Sequence, residues 1–503
     1  MDATKRIIIN TLAQYIKSIL NIGLSLYSTR LVLKALDIDD YGIFAVVGGV
    51  VAMLGFVTNA LIVTTQRFIS FYHGKGDRLY VRRIFSNSLF LHIIFAIVLA
   101  IILIVLKNWL FGTILNIAPV RIEAAIYVYY VTISVLVTTI ITAPFKALFI
   151  AKENIIYISI IDVFDGILKL LLAFWLLYIN SDKLIFYAFM MLGVQLVNFL
   201  AFSVYAVTCF DECSAIIRPK DIDKSIQRQL IGFAGWTCYN AGAVVGRNHG
   251  TAVVLNHFCG TAINAAYGIA AHVYGAIAFI VTSLLNAMNP QIMKAEGRAE
   301  RQQALMLAMQ QSKFSTAILS IVAIPIICEI PEILNVWLVE VPPYTTMFCV
   351  FILIGFILDQ TTLGLNAANQ ATGNIRAYSL LTYTPKLLYL PAIWIMMNCG
   401  WTPIEVMVFY VAIELFVAMI RLPFSKIRLE LSIRTYLRKV LLPLIPLILI
   451  SSMTSLLCVY VLQFPMRFLL TFVIGGSAGL LTAWFFTLTA NERNYVIKLI
   501  RRK

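Results

Sequence analysis

Long apolar runs separated by short polar segments repeat along the whole chain of 503 residues. A helix that crosses a bilayer needs about 20 mostly apolar residues. On this criterion the pattern predicts fourteen membrane-spanning helices, at approximately 7–33, 42–65, 89–110, 124–146, 156–179, 184–209, 232–257, 262–288, 314–338, 347–370, 377–398, 404–424, 440–462 and 467–489. The predicted fold class is an all-α polytopic membrane protein.

Composition excludes a soluble fold of this length. Hydrophobic residues make up 61% of the chain and charged residues 13%, whereas soluble domains have roughly 45–50% apolar and about 25% charged residues. The sequence contains no phosphate-binding P-loop, no H-E-x-x-H motif and no nucleophile elbow,. The eight cysteines form no C-x-x-C pair,. We therefore expect neither an enzyme nor a bound cofactor or metal.

The distribution of basic residues predicts the orientation in the membrane. The termini and the loops on their side hold 29 of the 39 Lys and Arg residues, the opposite loops hold five, and five lie inside spans. Because basic residues concentrate in cytoplasmic loops, both termini are predicted to be cytoplasmic. The basic residues of the cytoplasmic loops thus account for the net charge of +15, and no nucleic-acid partner is expected. The segments 289–313, 425–439 and 491–503 are predicted to be amphipathic surface helices,.

An internal repeat is marked by Tyr41-Gly42 and Tyr267-Gly268, at an offset of 226 residues. Each pair is followed by an apolar span and a long basic loop. Many transporters consist of two such repeats that alternate access to a substrate near the membrane midplane. Six spans per repeat is an even number, so the copies are predicted to be related by a pseudo-two-fold axis along the membrane normal. The predicted division is a six-helix lobe at 1–224, a second six-helix lobe at 225–439, and two additional helices with a basic tail at 440–503.

Cations lie inside the equivalent first and seventh spans. Lys17 and Arg247 are near the span centres, His249 is close to Arg247, and Arg30 is near the outer end of the first span. Charges at membrane depth usually face a protein interior or an aqueous cavity. They predict a positively lined central cavity for an anionic substrate, in which Arg holds phosphate through two parallel hydrogen bonds. The alternative is that they form internal salt bridges with buried acids, or, for Arg30, that it snorkels to the surface.

Acids also lie at membrane depth. Asp359 and Glu414 are central in spans 10 and 12, and Lys386 is central in span 11. A carboxylate in this position can bind Na⁺ or carry a proton, so these three residues are predicted to act in ion coupling or gating, with Na⁺ or H⁺ as the coupling ion. The carboxylates can equally neutralise Lys386 or Arg247. Asp165 and Lys169 form a predicted i,i+4 pair,.

Two stretches carry a family resemblance. Residues 36–44 read Leu-Asp-Ile-Asp-Asp-Tyr-Gly-Ile-Phe, and residues 64–70 read Thr-Thr-Gln-Arg-Phe-Ile-Ser. With spans arranged as six plus six plus two, the chain resembles the Wzx-type oligosaccharide flippases of the multidrug/oligosaccharidyl-lipid/polysaccharide (MOP) superfamily. Many members have glycine where this chain has Asp37.

The resemblance implies that the chain moves an undecaprenyl-diphosphate-linked oligosaccharide from the cytoplasmic to the periplasmic leaflet of the bacterial inner membrane, for O-antigen, capsule or other surface polysaccharide synthesis. Lys17, Arg30 and Arg247 would then line a cationic cavity that opens laterally to lipid. The implied partners are the lipid-linked oligosaccharide, membrane lipids, a polysaccharide polymerase and glycosyltransferases, and we expect the protein to work as a monomer.

Two other functions are compatible with a polytopic membrane protein. A cation-coupled multidrug exporter of the same superfamily shares the fold, but such exporters favour acidic and aromatic linings, whereas the centres of spans 1 and 7 are basic here. A membrane glycosyltransferase or polysaccharide ligase usually needs a sizeable outer loop with catalytic groups, and the longest predicted outer loop, at about 107–123, is short.

Overall fold

The computed structural model describes residues 3–501 except 53, 115–116, 214–220, 339, 463 and 465. Within these residues the chain is helical, with short 3-10 and π-helical turns and no strand. The predicted all-α fold class is confirmed. The α-helices are α1 Ala3–Ala52, α2 Gly55–Gly74, α3 Arg78–Trp109, α4 Ile122–Ala151, α5 Ile155–Leu176, α6 Lys183–Cys209, α7 Lys224–Cys259, α8 Thr261–Gly297, α9 Arg301–Trp337, α10 Thr345–Gln360, α11 Gly364–Ala371, α12 Arg376–Asn398, α13 Pro403–Leu429, α14 Ile433–Tyr436, α15 Leu442–Val461, α16 Arg467–Thr482 and α17 Ala490–Arg501.

Ten helices in the described part of the chain are long and apolar enough to cross a membrane, or eleven if the bent pair α10 and α11 is one span. These eleven correspond to eleven of the fourteen predicted spans. The other three predicted spans are also helical but do not meet this criterion. The second is divided between the end of α1 and α2, the fifth (α5) carries three charged residues, and the seventh (α7) is rich in Gly, Asn and His. The chain is a multi-pass membrane protein.

The chain forms two compact units, Met1–Ala241 and Gly242–Lys503, which divide inside α7. The sequence placed the division at the start of this helix, at 224/225. In the second unit, α15 and α16 pack against each other and against α9. The two helices that the sequence treated as an addition to the twelve-span core therefore share a unit with the second set of helices.

The first unit is organised by packing of α4 against α2, α3 and α6, and of α1 along α5. Large apolar side chains of α4, among them Val128 and Tyr129, are fully buried in its core. The close approach of α1 to α5 occurs at Gly166, where a Cβ atom would lie 2.9 Å from Asn21 Oδ1 and 3.0 Å from Leu24 Cδ1. A larger residue at 166 would therefore push α1 away from the polar face of α5.

A salt-bridged arginine joins the ends of three segments of this unit. Arg121, at the start of α4, donates to Asp40 of α1 at 2.5 and 2.8 Å and to Asp182, the N-cap of α6, at 2.6 Å. The guanidinium lowers the pKa of the Asp182 carboxyl, because its hydrogen bond favours the ionised form,. Arg121 lies in the predicted outer loop, and its ion pairs hold α1, the start of α4 and the start of α6 together.

A single residue with positive φ interrupts the helix shortly before each Tyr-Gly pair. Asp37 has φ 61° and ψ 170° inside α1, and Gly260 has φ 81° between α7 and α8. Glycine adopts this backbone region freely, while other residues are strained there by about 1–3 kcal/mol. The break therefore explains why a glycine suits the position of Asp37, and its recurrence at an offset of 223 residues favours the predicted repeat. The sequence predicted a loop at 34–41 between the first two spans, whereas the structure has a kink at Asp37 within α1.

Several predicted boundaries are wrong because helices extend beyond their apolar runs. The segment 289–313 is no separate surface helix: α8 continues to Gly297 and α9 begins at Arg301. The fourth span was predicted to end at residue 146, but α4 continues to Ala151. The tail forms α17, as predicted, up to Arg501. The predicted cytoplasmic residues Arg218, Lys220, Arg502 and Lys503 lie outside the described residues.

Candidate functional site

The first unit contains a cluster of two lysines around one carboxylate, which we call the unit 1 cluster. Lys17 of α1 lies 2.9 Å from Asp162 Oδ2, and Lys146 of α4 lies 3.4 Å from Asp162 Oδ1. The side chains are partly exposed, at 19% for Lys17, 33% for Lys146 and 23% for Asp162. Two lysines against one carboxylate leave one positive charge in excess, in side chains that are partly exposed.

The neighbouring helical turns of α5 hold a second polar pair. Asp165 binds Lys169 at 2.7 Å and accepts a hydrogen bond from Asn198 of α6 at 2.6 Å. The predicted i,i+4 pair therefore forms and also links α5 to α6. Asp165 is thus engaged separately from the unit 1 cluster, and Asp162 is the carboxylate that balances the two lysines.

The second unit contains a chain of five alternating charges, which we call the unit 2 cluster. Arg247 of α7 binds Glu414 of α13, and the other oxygen of Glu414 lies 2.8 Å from Lys386 of α12. Lys386 lies 3.1 Å from Asp359 of α10, which also binds Arg421 of α13 at 2.9 Å. Three cations and two carboxylates again leave one positive charge in excess. Arg247, Lys386, Glu414 and Arg421 are buried, with Asp359 the most exposed of the five at 18%.

A broken helix positions Asp359. The 45° bend between α10 and α11 follows this residue directly, and the backbone groups freed by the break find side-chain partners. Arg421 donates to the Asp359 carbonyl at 3.1 Å and Tyr436 to the Thr361 carbonyl at 2.7 Å, while Ser312 accepts from the Gly364 amide at 2.9 Å. Buried backbone groups at membrane depth require such partners. Discontinuous helices at membrane depth are typical of ion and substrate sites in transporters.

A cavity of about 90 Å³ adjoins the unit 2 cluster. All five charged residues line it, together with Tyr274, Tyr383 and Tyr410. The guanidinium of Arg247 lies 4.8 Å from the centre of the Tyr410 ring, an arrangement that adds a cation–π attraction,. Tyr410 can occupy this position because residue 355 is glycine, where a Cβ atom would come within 2.5 Å of the ring. The cavity is large enough for a few water molecules or a small ion, but far smaller than a lipid-linked substrate.

The predicted site residues fall into three groups. Lys17 is in the unit 1 cluster, and Arg247, Asp359, Lys386 and Glu414 are all in the unit 2 cluster. Arg30 and His249 are exposed on α1 and α7 and belong to neither cluster. The alternative of internal salt bridges is therefore realised for Lys17 and Arg247, which both have carboxylate partners.

Sequence reasoning missed Lys146, Arg421 and the tyrosines. Lys146 was missed because the apolar run of α4 ends before the helix does. A helical pattern could have found others: Tyr410, Glu414 and Arg421 are spaced i, i+4 and i+11, which places them on one face of α13,. Among the described residues, no group of three His, Cys, Asp or Glu side chains is arranged to hold a metal ion.

Solved transporter structures share this fold. A MATE transporter in complex with MaL6 has 14% sequence identity and a TM-score of 0.74, covering 86% of this chain and 97% of that one. An outward-facing multidrug resistance MATE family transporter of the MOP superfamily has 13% identity and a TM-score of 0.73, covering 86% and 96%. A MOP superfamily transporter from Pyrococcus furiosus, whose binding pocket is described as reversed in polarity, has 14% identity and a TM-score of 0.72, also covering 86% and 96%.

No protein-family model and no curated protein sequence matches the chain. At 13–14% identity, the structural likeness defines the fold. The chain has the fold of these MATE transporters.

Proposed function

We propose that this protein is a membrane transporter that moves an anionic, lipid-linked substrate, an undecaprenyl-diphosphate-linked oligosaccharide, across the bacterial inner membrane by alternating access. The proposal rests on the excess of cations over carboxylates in both charge clusters. Lys17 and Lys146 face one carboxylate, and three cations of the unit 2 cluster face two. A site for an organic cation would need the opposite balance.

The two clusters are suited to different tasks. The lysine side chains of the unit 1 cluster are partly exposed, and their ammonium groups can donate to a diphosphate at the cost of loosening their bonds to Asp162. Arg247 is 7% exposed and bound to Glu414, so its contribution to anion binding is a positive potential rather than a direct contact. We therefore assign the first contact with the diphosphate to Lys17 and Lys146, with the exposed Arg30 and His249 as further candidates along α1 and α7.

The unit 2 cluster is the proposed coupling element. A proton on Asp359 would remove a counter-charge from Lys386 and Arg421 and leave two excess positive charges in a buried cavity. Unpaired buried charges are costly, so the network would rearrange. A Na⁺ ion at the carboxylates would act differently, because it would compete with Lys386 for both of them. The basic bias of one set of loops supports cytoplasmic termini.

A cation-coupled multidrug exporter is the second candidate. It is favoured by the buried carboxylates Asp359 and Glu414 and by the likeness to a multidrug resistance MATE family transporter. Both carboxylates are engaged by basic side chains of the same unit, which favours the anionic substrate. The Pyrococcus furiosus transporter, whose reversed pocket polarity is described as suggesting a different function, is a precedent for such a difference within the same fold.

Deletion of the gene in its native bacterium tests the proposal. We expect surface polysaccharide to be lost and lipid-linked glycan to accumulate facing the cytoplasm, and plasmid-borne wild-type protein to restore both. Glycan orientation is measured by its accessibility to a membrane-impermeant glycosidase in inverted vesicles. Unchanged surface glycan would refute the flippase proposal, and increased sensitivity to cationic drugs with normal glycan would support the exporter.

Replacing Asp359 with asparagine is expected to change the dependence of transport on an imposed H⁺ or Na⁺ gradient. The amide keeps an oxygen acceptor for Arg421 but cannot bind a proton or balance Lys386. The measurement is the ratio of lipid-diphosphate transport rates with and without the gradient in proteoliposomes, a ratio that does not depend on how much protein is folded. Asp165→Asn is the matched control outside the unit 2 cluster. An unchanged ratio for Asp359→Asn would make this residue structural.

A further inference from the structure

The unit 2 cluster holds more positive charge than its surroundings balance. Three cations face two carboxylates, and four of these five residues are buried. No further Asp or Glu is among the described residues that line the adjoining cavity of about 90 Å³. Glu329, the other buried carboxylate in the described part of the second unit, is bound to Arg467 at 3.1 Å and Thr471 at 2.7 Å. A buried excess charge is costly unless a counter-ion is present.

Three hydrogen-bond donors in the wall of this cavity lack an acceptor. Arg247 binds Asn248 through Nε and Glu414 through Nη1, which leaves Nη2 without a partner among the described residues. The hydroxyls of Tyr274 and Tyr410 likewise have no hydrogen-bond partner in the described part of the chain. None of these three atoms is enclosed by protein, and all three residues line the cavity. A ligand in the cavity can therefore accept from them.

The charge and size of the site favour a small anion. The Arg247 guanidinium lies 4.8 Å from the centre of the Tyr410 ring, so the two donor residues are adjacent. A water molecule could accept from them, but it would not supply the missing negative charge. A lipid-linked diphosphate is far larger than a cavity of about 90 Å³, whereas a halide ion is only slightly larger than a water molecule and fits,.

We infer that this cavity binds one small monovalent anion, such as chloride, which accepts from Arg247 Nη2 and from the hydroxyls of Tyr274 and Tyr410. The anion brings the net charge of the unit 2 cluster to zero. It is a counter-ion of the buried network, and it binds apart from the unit 1 cluster, to which the diphosphate contact is assigned. The inference concerns the same residues as the proposed coupling element, but it depends neither on transport nor on the identity of the substrate.

The test measures binding of radiolabelled chloride to the purified full chain in phosphatidylcholine nanodiscs, without substrate and at constant ionic strength. The wild type is expected to bind one ion per chain saturably. Bromide is expected to compete, because it has the same charge and a similar size, whereas the much larger gluconate ion is not. Absence of saturable binding, or competition by gluconate as strong as by bromide, would overturn the inference. Both measurements use the wild type alone, and neither outcome bears on the flippase proposal.

Three variants locate the ion. Tyr410→Phe removes one donor and keeps the ring beside Arg247, and it is expected to weaken chloride binding about fivefold, the effect of one net hydrogen bond,. Asp359→Asn raises the charge excess of the cluster and is expected to strengthen chloride binding. The double variant Lys17→Gln with Lys146→Gln is the control in the first unit and is expected to bind chloride like the wild type. Loss of binding in this control, with wild-type affinity in Tyr410→Phe, would place the ion in the unit 1 cluster and refute the inference.

Discussion

Replacing Glu414 with glutamine is expected to destabilise the protein by about 3–5 kcal/mol, the typical cost of breaking a buried ion pair from one side. Glu414 is 2% exposed and is shared by Arg247 and Lys386. Its loss leaves two excess positive charges in a cavity of about 90 Å³, which is too small to solvate them as bulk water would. The measurement is the midpoint of thermal or denaturant unfolding of the purified protein in detergent.

Two controls distinguish the cost of leaving a buried charge unpaired from the cost of replacing any carboxylate. Asp165→Asn disrupts a pair whose lysine is 43% exposed and is expected to cost at most about 1 kcal/mol,. The double variant Arg247→Met with Glu414→Leu removes a cation and an anion together and leaves Lys386 paired with Asp359. It is expected to be more stable than Glu414→Gln. If Glu414→Gln costs no more than Asp165→Asn, the unit 2 cluster does not stabilise the fold.

The double substitution Lys17→Gln with Lys146→Gln is expected to abolish transport with little loss of stability. A hydrogen bond to a charged group contributes roughly 1.5–3 kcal/mol, so removing two is expected to weaken binding of a diphosphate by at least about 100-fold. Because all three side chains of the unit 1 cluster are partly exposed, water can solvate the carboxylate that remains. Restoration of surface polysaccharide in the deletion strain and binding of an undecaprenyl-diphosphate analogue are the two readouts.

Two variants that include Asp162→Asn test whether the effect depends on the positive charges of the two lysines. The triple variant Lys17→Gln, Lys146→Gln and Asp162→Asn leaves no charge in the cluster and is expected to be as inactive as the double variant. Asp162→Asn alone frees both ammonium groups and is expected to bind the analogue more tightly. Normal polysaccharide in the double variant, at wild-type protein levels, would show that the unit 1 cluster does not contact the substrate.

The membrane class, the helical fold and most span positions follow from the sequence because they depend on local properties. An apolar run of sufficient length needs no tertiary contact to be recognised. The ten described helices that meet the spanning criterion, and the bent pair α10 and α11, coincide with predicted spans. The charges at depth were recognisable for the same reason. Lys17, Arg247, Asp359, Lys386 and Glu414 stand out against an apolar background, and each lies in one of the two clusters.

The partners of those charges were decided by the tertiary structure alone. Lys17 and Asp162 are 145 residues apart and Arg247 and Glu414 are 167 apart, so their pairing depends on which helix faces lie together. The sequence presented Lys17 and Arg247 as equivalent cations in equivalent spans. Packing distinguishes them, because α1 leaves Lys17 partly exposed beside a second lysine, whereas α7, α12 and α13 bury Arg247 against a carboxylate and an aromatic ring. Burial and counter-charge are properties of three-dimensional neighbours, and they determine which cation remains available to an anion.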